Sequence, residues 1–230
     1  MAQFHFVEDY EKYVASLIAT HPIDEAMSLA VGGRFDEVGQ IEVNILRYFG
    51  LRDGMSVLDL GCGSGRLANA LTRTGKFDYC GTDVVQSLLD YAAKKSAPNY
   101  RFKLNPAISV PVEDQSTDFV VAFSLFTHLL HSETFLYLED SKRVLRPRGK
   151  AIFSFLEFSE PAHWWAFEEE MNLRRTGGIG HLNCFIERSA IAIWAQRLGF
   201  EVEAIVSGAD APWGGEHLGQ AVAVLTKHGS

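Results

Sequence analysis

Short apolar runs alternate with amphipathic stretches along most of the chain. The runs fall at 56–60, 79–82, 100–104, 119–124, 150–156, 201–206 and 221–226, and most are rich in Val, Ile, Leu and Phe. They lack a strict in-and-out alternation, the pattern of strands covered on both faces. Between them lie helix-like segments at 66–74, 85–95, 133–144 and 189–198. Strand, helix, strand in this rhythm predicts right-handed crossovers and a mostly parallel sheet with helices on both faces, an α/β doubly wound architecture. No long helical pattern separates the last two runs. Residues 207–220 carry Pro212 and four glycines, so the chain is expected to finish in an antiparallel hairpin. A helical preface over 1–50 precedes the first strand, bounded by turn chemistry at Gly32-Gly33 and Gly50. It reads either as a packing helix pair or as a cap over a ligand mouth.

The expected organisation is one domain over 1–230. It has the helical cap at 1–50, a ligand-binding core at 51–157, an insertion or lid at 158–187, and a helix with hairpin at 188–230. Composition supports a single globular core: of 230 residues, 47% are hydrophobic, 12% aromatic and 22% charged. A chain of this size buries roughly 70–75% of its unfolded surface. The net charge of −8 and the absence of basic clusters argue against a nucleic-acid partner. Cys62, Cys80 and Cys184 form neither a paired pattern nor a metal-ligand spacing, which suits a reducing compartment and no metal site. No apolar run is long enough to span a bilayer, and the first seven residues show no charged-then-apolar leader. The expectation is a cytoplasmic protein without a membrane partner; its oligomeric state has no signature.

The chemistry concentrates in Val57-Leu58-Asp59-Leu60-Gly61-Cys62-Gly63-Ser64-Gly65-Arg66. An apolar strand runs into a glycine-rich turn that opens a helix, the edge at which open α/β sheets bind ligands. A dinucleotide site wants G-x-G-x-x-G, its third glycine allowing close helix packing. Here that third place is Arg66, and the pattern is instead G-x-G-x-G with Asp59 inside the strand. Asp83 closes the second strand, where a carboxylate can accept both hydroxyl protons of a ribose or cap the next helix.

These motifs resemble the class I S-adenosylmethionine-dependent methyltransferases, in the small-molecule branch of methyltransferase type 11-like proteins found in quinone and natural-product biosynthesis. The stretch 119–129, with Ser124-Leu-Phe-Thr-His128, is similar to the family's fourth strand and following loop. Arg143-Val-Leu-Arg-Pro147-Arg-Gly149 resembles the turn before its fifth strand, with Arg148 replacing a glycine. The resemblance implies a Rossmann-like seven-stranded sheet and S-adenosylmethionine as cofactor. It further implies methyl transfer to a small organic acceptor, oxygen favoured over nitrogen or carbon. It places Asp59, Gly61, Cys62, Gly63, Gly65, Asp83, Val84, Asn105 and Ser124 around the cofactor. Asp83 would take the ribose. Cys62 would be a small packing residue with its backbone N–H turned to the ligand. Asn105 stands one residue before the place where the family carries an acid for the adenine amino group, a place held here by Pro106.

Methyl transfer from a sulfonium needs mainly alignment; a base is needed only where the acceptor must lose a proton. His128 is the first candidate, beside a structural reading as a hydrogen-bonded group, and His131 follows it. His163, His181 and His217 lie in later loops suited to an acceptor pocket. Trp164, Trp165 and Phe167 read as core or as an aromatic lid, with a Glu170–Arg174 pair on a solvated face. Trp213, ahead of His217, offers a second aromatic wall. Two rivals stay open: a non-catalytic S-adenosylmethionine-binding module and an NAD(P)-dependent oxidoreductase.

Overall fold

The computed structural model describes residues 7–177 and 183–229. Three helices come first, α1 (Val7–Thr20), α2 (Ile23–Leu29) and α3 (Phe35–Tyr48). There follow β1 (Ser56–Leu60), α4 (Arg66–Thr74), β2 (Asp78–Asp83), α5 (Gln86–Lys95), β3 (Arg101–Leu104) and β4 (Thr117–Ala122). The chain ends with α6 (His131–Val144), β5 (Leu145–Phe155), α7 (Trp164–Arg175), α8 (Arg188–Leu198), β6 (Phe200–Val206) and β7 (Ala221–Lys227). The strands form a seven-stranded sheet in the order β3-β2-β1-β4-β5-β7-β6. The first five run parallel where their pairing is recorded, and β7 pairs antiparallel with both β5 and β6. This is the doubly wound sheet with an antiparallel end that the apolar pattern predicts. The preface differs in detail, holding three helices where a pair was expected. Among the described residues no helix is long and apolar enough to cross a membrane.

The backbone divides into two compact units, Met1–Pro111 and Val112–Ser230. In the first, every residue of β1 is buried, which explains its uninterrupted apolar run. On α4, Leu67, Ala68, Ala70 and Leu71 repeat at helical spacing and are all buried. β3, at the end of the sheet, is mostly exposed. A separate cluster joins the preface to α5 and the residue before it: Val14 of α1, Met27 of α2 and Ala30 pack with Val85, Leu88 and Tyr91.

In the second unit, β5 and β7 align from Lys150 opposite Thr226 to Phe155 opposite Ala221. Phe153 sets its ring, tilted, 5.0 Å from Phe126 and 6.2 Å from Phe155. Residues 221–225 of β7 are fully covered, whereas β6 at the sheet's end is largely exposed or half-buried.

Candidate active site

The turn 61–65 leaves β1 and enters α4 through left-handed backbone, with φ of 66° at Gly61, 54° at Gly63 and 86° at Gly65. Protein, rather than open space, enforces the last two. A Cβ on Gly63 would stand 2.6 Å from Val31 Cγ1, and one on Gly65 would stand 2.7 Å from Ala92 Cβ on α5. Any larger residue would therefore displace α5 or the end of the preface. The amide of Cys62 donates to Thr82 O at 2.9 Å. This corrects the expectation that its N–H turns to a ligand: the parallel neighbour strand has already taken it. The buried Cys62 thiol, raised by burial and by the nearby Asp59 and Asp83 charges, acts as packing.

Asp83 ties the turn to the second strand. Its Oδ2 accepts the Gly63 N–H at 2.9 Å and its Oδ1 accepts the Val85 N–H at 3.0 Å, at the start of α5. Burial raises this carboxyl, and the backbone donors oppose the rise. A carboxylate offers about four acceptor positions, so these bonds leave room for further donors. Asp59 sits deeper, accepting the Tyr79 hydroxyl at 2.6 Å. Burial pushes its carboxyl up to about 8, against the Tyr79 bond and with help from the Glu42 charge. Glu42 on α3, also buried, is pushed up to about 6 by burial, with Arg66 pulling the other way. Arg66 reaches Glu42 Oε1 at 3.4 Å. Arg66 thus pairs with Glu42 and its charge reaches Asp59, while backbone donors alone offset the burial of Asp83, an environment that favours a cationic ligand.

Asn105 is buried; its Nδ2 donates to Ser109 O at 2.7 Å and its amide N–H to Asp83 O at 2.9 Å. The side chain is thereby fixed with Oδ1 as its acceptor end. Val84 is half-buried and packs against the cluster that includes Val85 and Met27.

In the second unit, Ser124 follows β4 with φ +56°, an uncommon conformation for a residue with a side chain. Its N–H donates to Ser154 Oγ at 2.7 Å, and both hydroxyls donate to Gln220 Oε1, at 3.2 Å from Ser124 and 2.6 Å from Ser154. Sequence reasoning missed Ser154 and Gln220, because no local pattern links positions so far apart. His128 is half-buried at the end of a 3-10 turn, Phe126–His128. His131 is committed elsewhere: its Nε2 lies 2.9 Å from Phe185 O and its ring packs edge-on to Trp194. His163 is buried, its Nδ1 accepting the Glu157 N–H at 3.0 Å. His217 is exposed, and His181 lies outside the described residues.

The tryptophans of α7 are not core. Trp165 is 63% exposed and Trp164 43%, while Phe158 stacks on Phe185 with centroids 4.3 Å apart and Phe167 and Trp164 set against Phe158. The Glu170–Arg174 pair is present at 2.9 Å. Trp213 donates to Glu216 O at 3.1 Å within its own loop. Another feature without a local signal is Glu157, fully buried after β5 and bonded through both oxygens to Arg188 and through one to Ser159 Oγ. Burial works to raise its carboxyl, and the Arg188 and Ser159 bonds outweigh it, holding it below the usual range.

A methyltransferase domain family matches residues 35–205 of the chain. The demethylmenaquinone methyltransferase of Staphylococcus aureus is 32% identical over 124 residues, 51% of this chain and 48% of that protein. A ubiquinone biosynthesis O-methyltransferase of Coxiella burnetii is 26% identical over 155 residues, 65% of this chain and 64% of its own. The chain spans about half the length of the first curated relatives it matches. Among solved structures, a putative methyltransferase of Haloferax volcanii, in complex with the Trm112 methyltransferase activator, superposes with a TM-score of 0.70. It shares 17% identity and covers 96% of this chain and 98% of its own. The chain belongs to the methyltransferase domain family, and its fold is that of the class I S-adenosylmethionine-dependent enzymes. Between the two classes of glycine loop, the family match decides for the methyltransferases.

Proposed function

We propose that this protein transfers a methyl group from S-adenosylmethionine to a small organic acceptor, at oxygen. The carrying observation is Asp83: a buried carboxylate locked to the turn at Gly63, with acceptor capacity left for a pair of hydroxyls. The residues present fit the cofactor. The excess of buried carboxyls over Arg66 suits its positive charge, and the Asn105 Oδ1 end suits an amino group. When bound, the cofactor supplies a methyl carbon already activated by a sulfonium.

In this reading Asp83 accepts the ribose hydroxyls, Asn105 accepts from the adenine amino group, and Val84 gives the base an apolar side. The turn at Gly61, Gly63 and Gly65, with Cys62 packed beneath it, holds the methionine end. Asp59 lies behind the turn and adds negative charge there as it ionises above neutrality. Ser124 and His128 keep the roles the family resemblance gives them, His128 taking the acceptor's hydroxyl proton. The preference for oxygen draws support from the O-methyltransferase among the relatives.

The test is calorimetry with S-adenosylhomocysteine. Wild-type protein should bind it, and Asp83→Ala should lose about 100-fold or more in affinity, two charge-assisted bonds being removed. Unchanged affinity in that variant removes the ribose assignment. Release of S-adenosylhomocysteine from S-adenosylmethionine on incubation with phenolic and hydroxyquinone acceptors tests transfer itself; no release with any of them favours a binding module without catalysis.

A further inference from the structure

The carboxyl end of α2 is held by side chains from three other elements. The amides of Val31, Gly32 and Gly33 turn back to Ser28 and Leu29, bonding at 3.2, 3.0 and 2.8 Å. The Met27, Ala30 and Val31 carbonyls are engaged differently. Ser64 Oγ, fully buried inside the glycine turn, donates to Met27 O at 2.8 Å. Tyr10 of α1 donates its hydroxyl to Ala30 O at 3.1 Å. Arg66, the first residue of α4, donates to Val31 O at 2.6 Å while its other arm faces Glu42. Helix ends normally satisfy such carbonyls with their own next turn or with water. Here two of the three donors belong to the turn 61–65 and the residue that follows it.

The same contact closes sterically. Val31 Cγ1 occupies the place a Cβ of Gly63 would need, and Gly63 is the residue whose N–H is bound to Asp83. Tyr10 lies in the cluster with Val84 and Val85, directly after Asp83. Burial and then the Asp83 charge push its phenol up, as expected for a hydroxyl held near that carboxylate. Beyond the latch, Gly32, Gly33 and Arg34 are three successive left-handed residues, with φ of 87°, 79° and 48°. Among the described residues, nothing stands within 4 Å of a Cβ built on either glycine. The reversal between α2 and α3 is therefore set by glycine chemistry and not by packing around it.

We infer that α1 and α2 form a strap latched onto the cofactor turn, with Ser64, Arg66 and Tyr10 as positioning residues, so that filling the turn tightens the strap and loosening the strap weakens the ligand. The inference rests on reading the turn 61–65 as the cofactor's site. Reciprocity is thermodynamic: a ligand that stabilises the latched state must lose affinity by the factor by which the latch is weakened. Arg66 also gains an explanation. At the place where dinucleotide sites carry a third glycine, this chain carries the cation that pins the strap.

The experiment is hydrogen–deuterium exchange on the full chain with and without S-adenosylhomocysteine, paired with calorimetry on wild type, Tyr10→Phe and Ser64→Ala. Tyr10→Phe keeps the ring, removes only the latch hydroxyl, and introduces no unpaired charge. Saturating ligand should slow exchange in α1 and α2 about tenfold more than in β5 and β7, which report general stabilisation. Each variant should speed exchange in α2 and weaken the ligand by about 2- to 10-fold, the effect of one lost hydrogen bond. Equal slowing everywhere overturns the inference. So does faster exchange in α2 of both variants with affinity within twofold of wild type. A wild-type chain that gives no binding heat overturns the cofactor reading itself, and the inference falls with it.

Discussion

The Ser124 amide donates to Ser154 Oγ at 2.7 Å while the Ser124 backbone stays at φ +56°. The bond crosses from the end of β4 to β5 and holds a left-handed conformation that costs a residue with a Cβ roughly 1–2 kcal/mol. Two variants isolate that cost, since both remove the hydroxyl and its 3.2 Å bond to Gln220. Ser124→Gly should be about 1 kcal/mol more stable than Ser124→Ala in urea unfolding at pH 7. At an ordinary position alanine would be the more stable of the two, so an Ala variant equal to or above the Gly variant refutes stored strain.

Tyr79 and Asp59 give a prediction in pH. Asp59, pushed up to about 8 by burial, keeps its proton in the folded protein through neutrality, whereas the unfolded chain has lost it above the ordinary value of 3.8. A raised carboxyl contributes stability that is complete below the unfolded value and disappears as pH rises through the folded one. Glu42, raised to about 6, acts in the same direction over a lower range. The thermal midpoint should therefore fall from about pH 5 to pH 8 and level off above it. Asp59→Asn keeps a hydrogen-bond partner for the Tyr79 hydroxyl and cannot ionise, so its midpoint should be flatter over that window. A variant that falls as steeply as wild type would place the proton elsewhere.

Much of this was legible in the chain, for a reason visible in burial. β1 and α4 coincide residue for residue with the runs at 56–60 and 66–74, because one is buried throughout and the other has a sharp apolar stripe. The family motif and Asp83 are contiguous or at a strand tip, where local chemistry speaks. β5 starts at Leu145, well before the apolar run at 150, because Arg146, Pro147 and Arg148 are exposed and read as a turn. The short α2 escaped separate notice because its end is fixed by Tyr10, Ser64 and Arg66, at separations of 20, 37 and 35 residues. Ser154 and Gln220 meet only through strand pairing. Long-range polar contacts leave no periodic trace.

Glu157 and Arg188 illustrate that point and carry a prediction of their own. The carboxyl has no exposure, and Arg188, about half exposed, holds both oxygens. Removing one partner of a buried pair typically costs about 3–5 kcal/mol, with the lower end fitting a partly solvated guanidinium. Arg188→Ala should thus lose about 3 kcal/mol at pH 8. Glu157 is depressed in the wild type, so its contribution is present above the ordinary value of 4.5 and is lost as pH falls through the folded value. Without Arg188, the Ser159 bond is left to oppose burial and the carboxyl rises. The loss should shrink in urea titrations at pH 5, where the orphaned acid can take a proton. A loss equal at the two pH values would show that Arg188 acts by packing.

The buried carboxyls behind the glycine turn also set how the protein should distinguish the charged cofactor from its neutral sulfur product. Asp59 and Glu42 lose their protons at about 8 and about 6, so the negative charge behind the turn grows steadily from pH 6 to pH 8.5. S-adenosylmethionine carries a sulfonium that responds to that charge, whereas S-adenosylhomocysteine has the same recognition groups without it. The ratio of their affinities should therefore rise with pH, by roughly three- to tenfold over the window, the scale of one partly screened charge interaction. Binding of the sulfonium near neutrality should also release protons, read as a calorimetric heat that changes with the buffer's ionisation enthalpy. In Asp59→Asn the ratio should vary less with pH. If the ratio stays constant from pH 6 to pH 8.5 in the wild type, the carboxyls do not sense the sulfonium and their burial serves the fold alone.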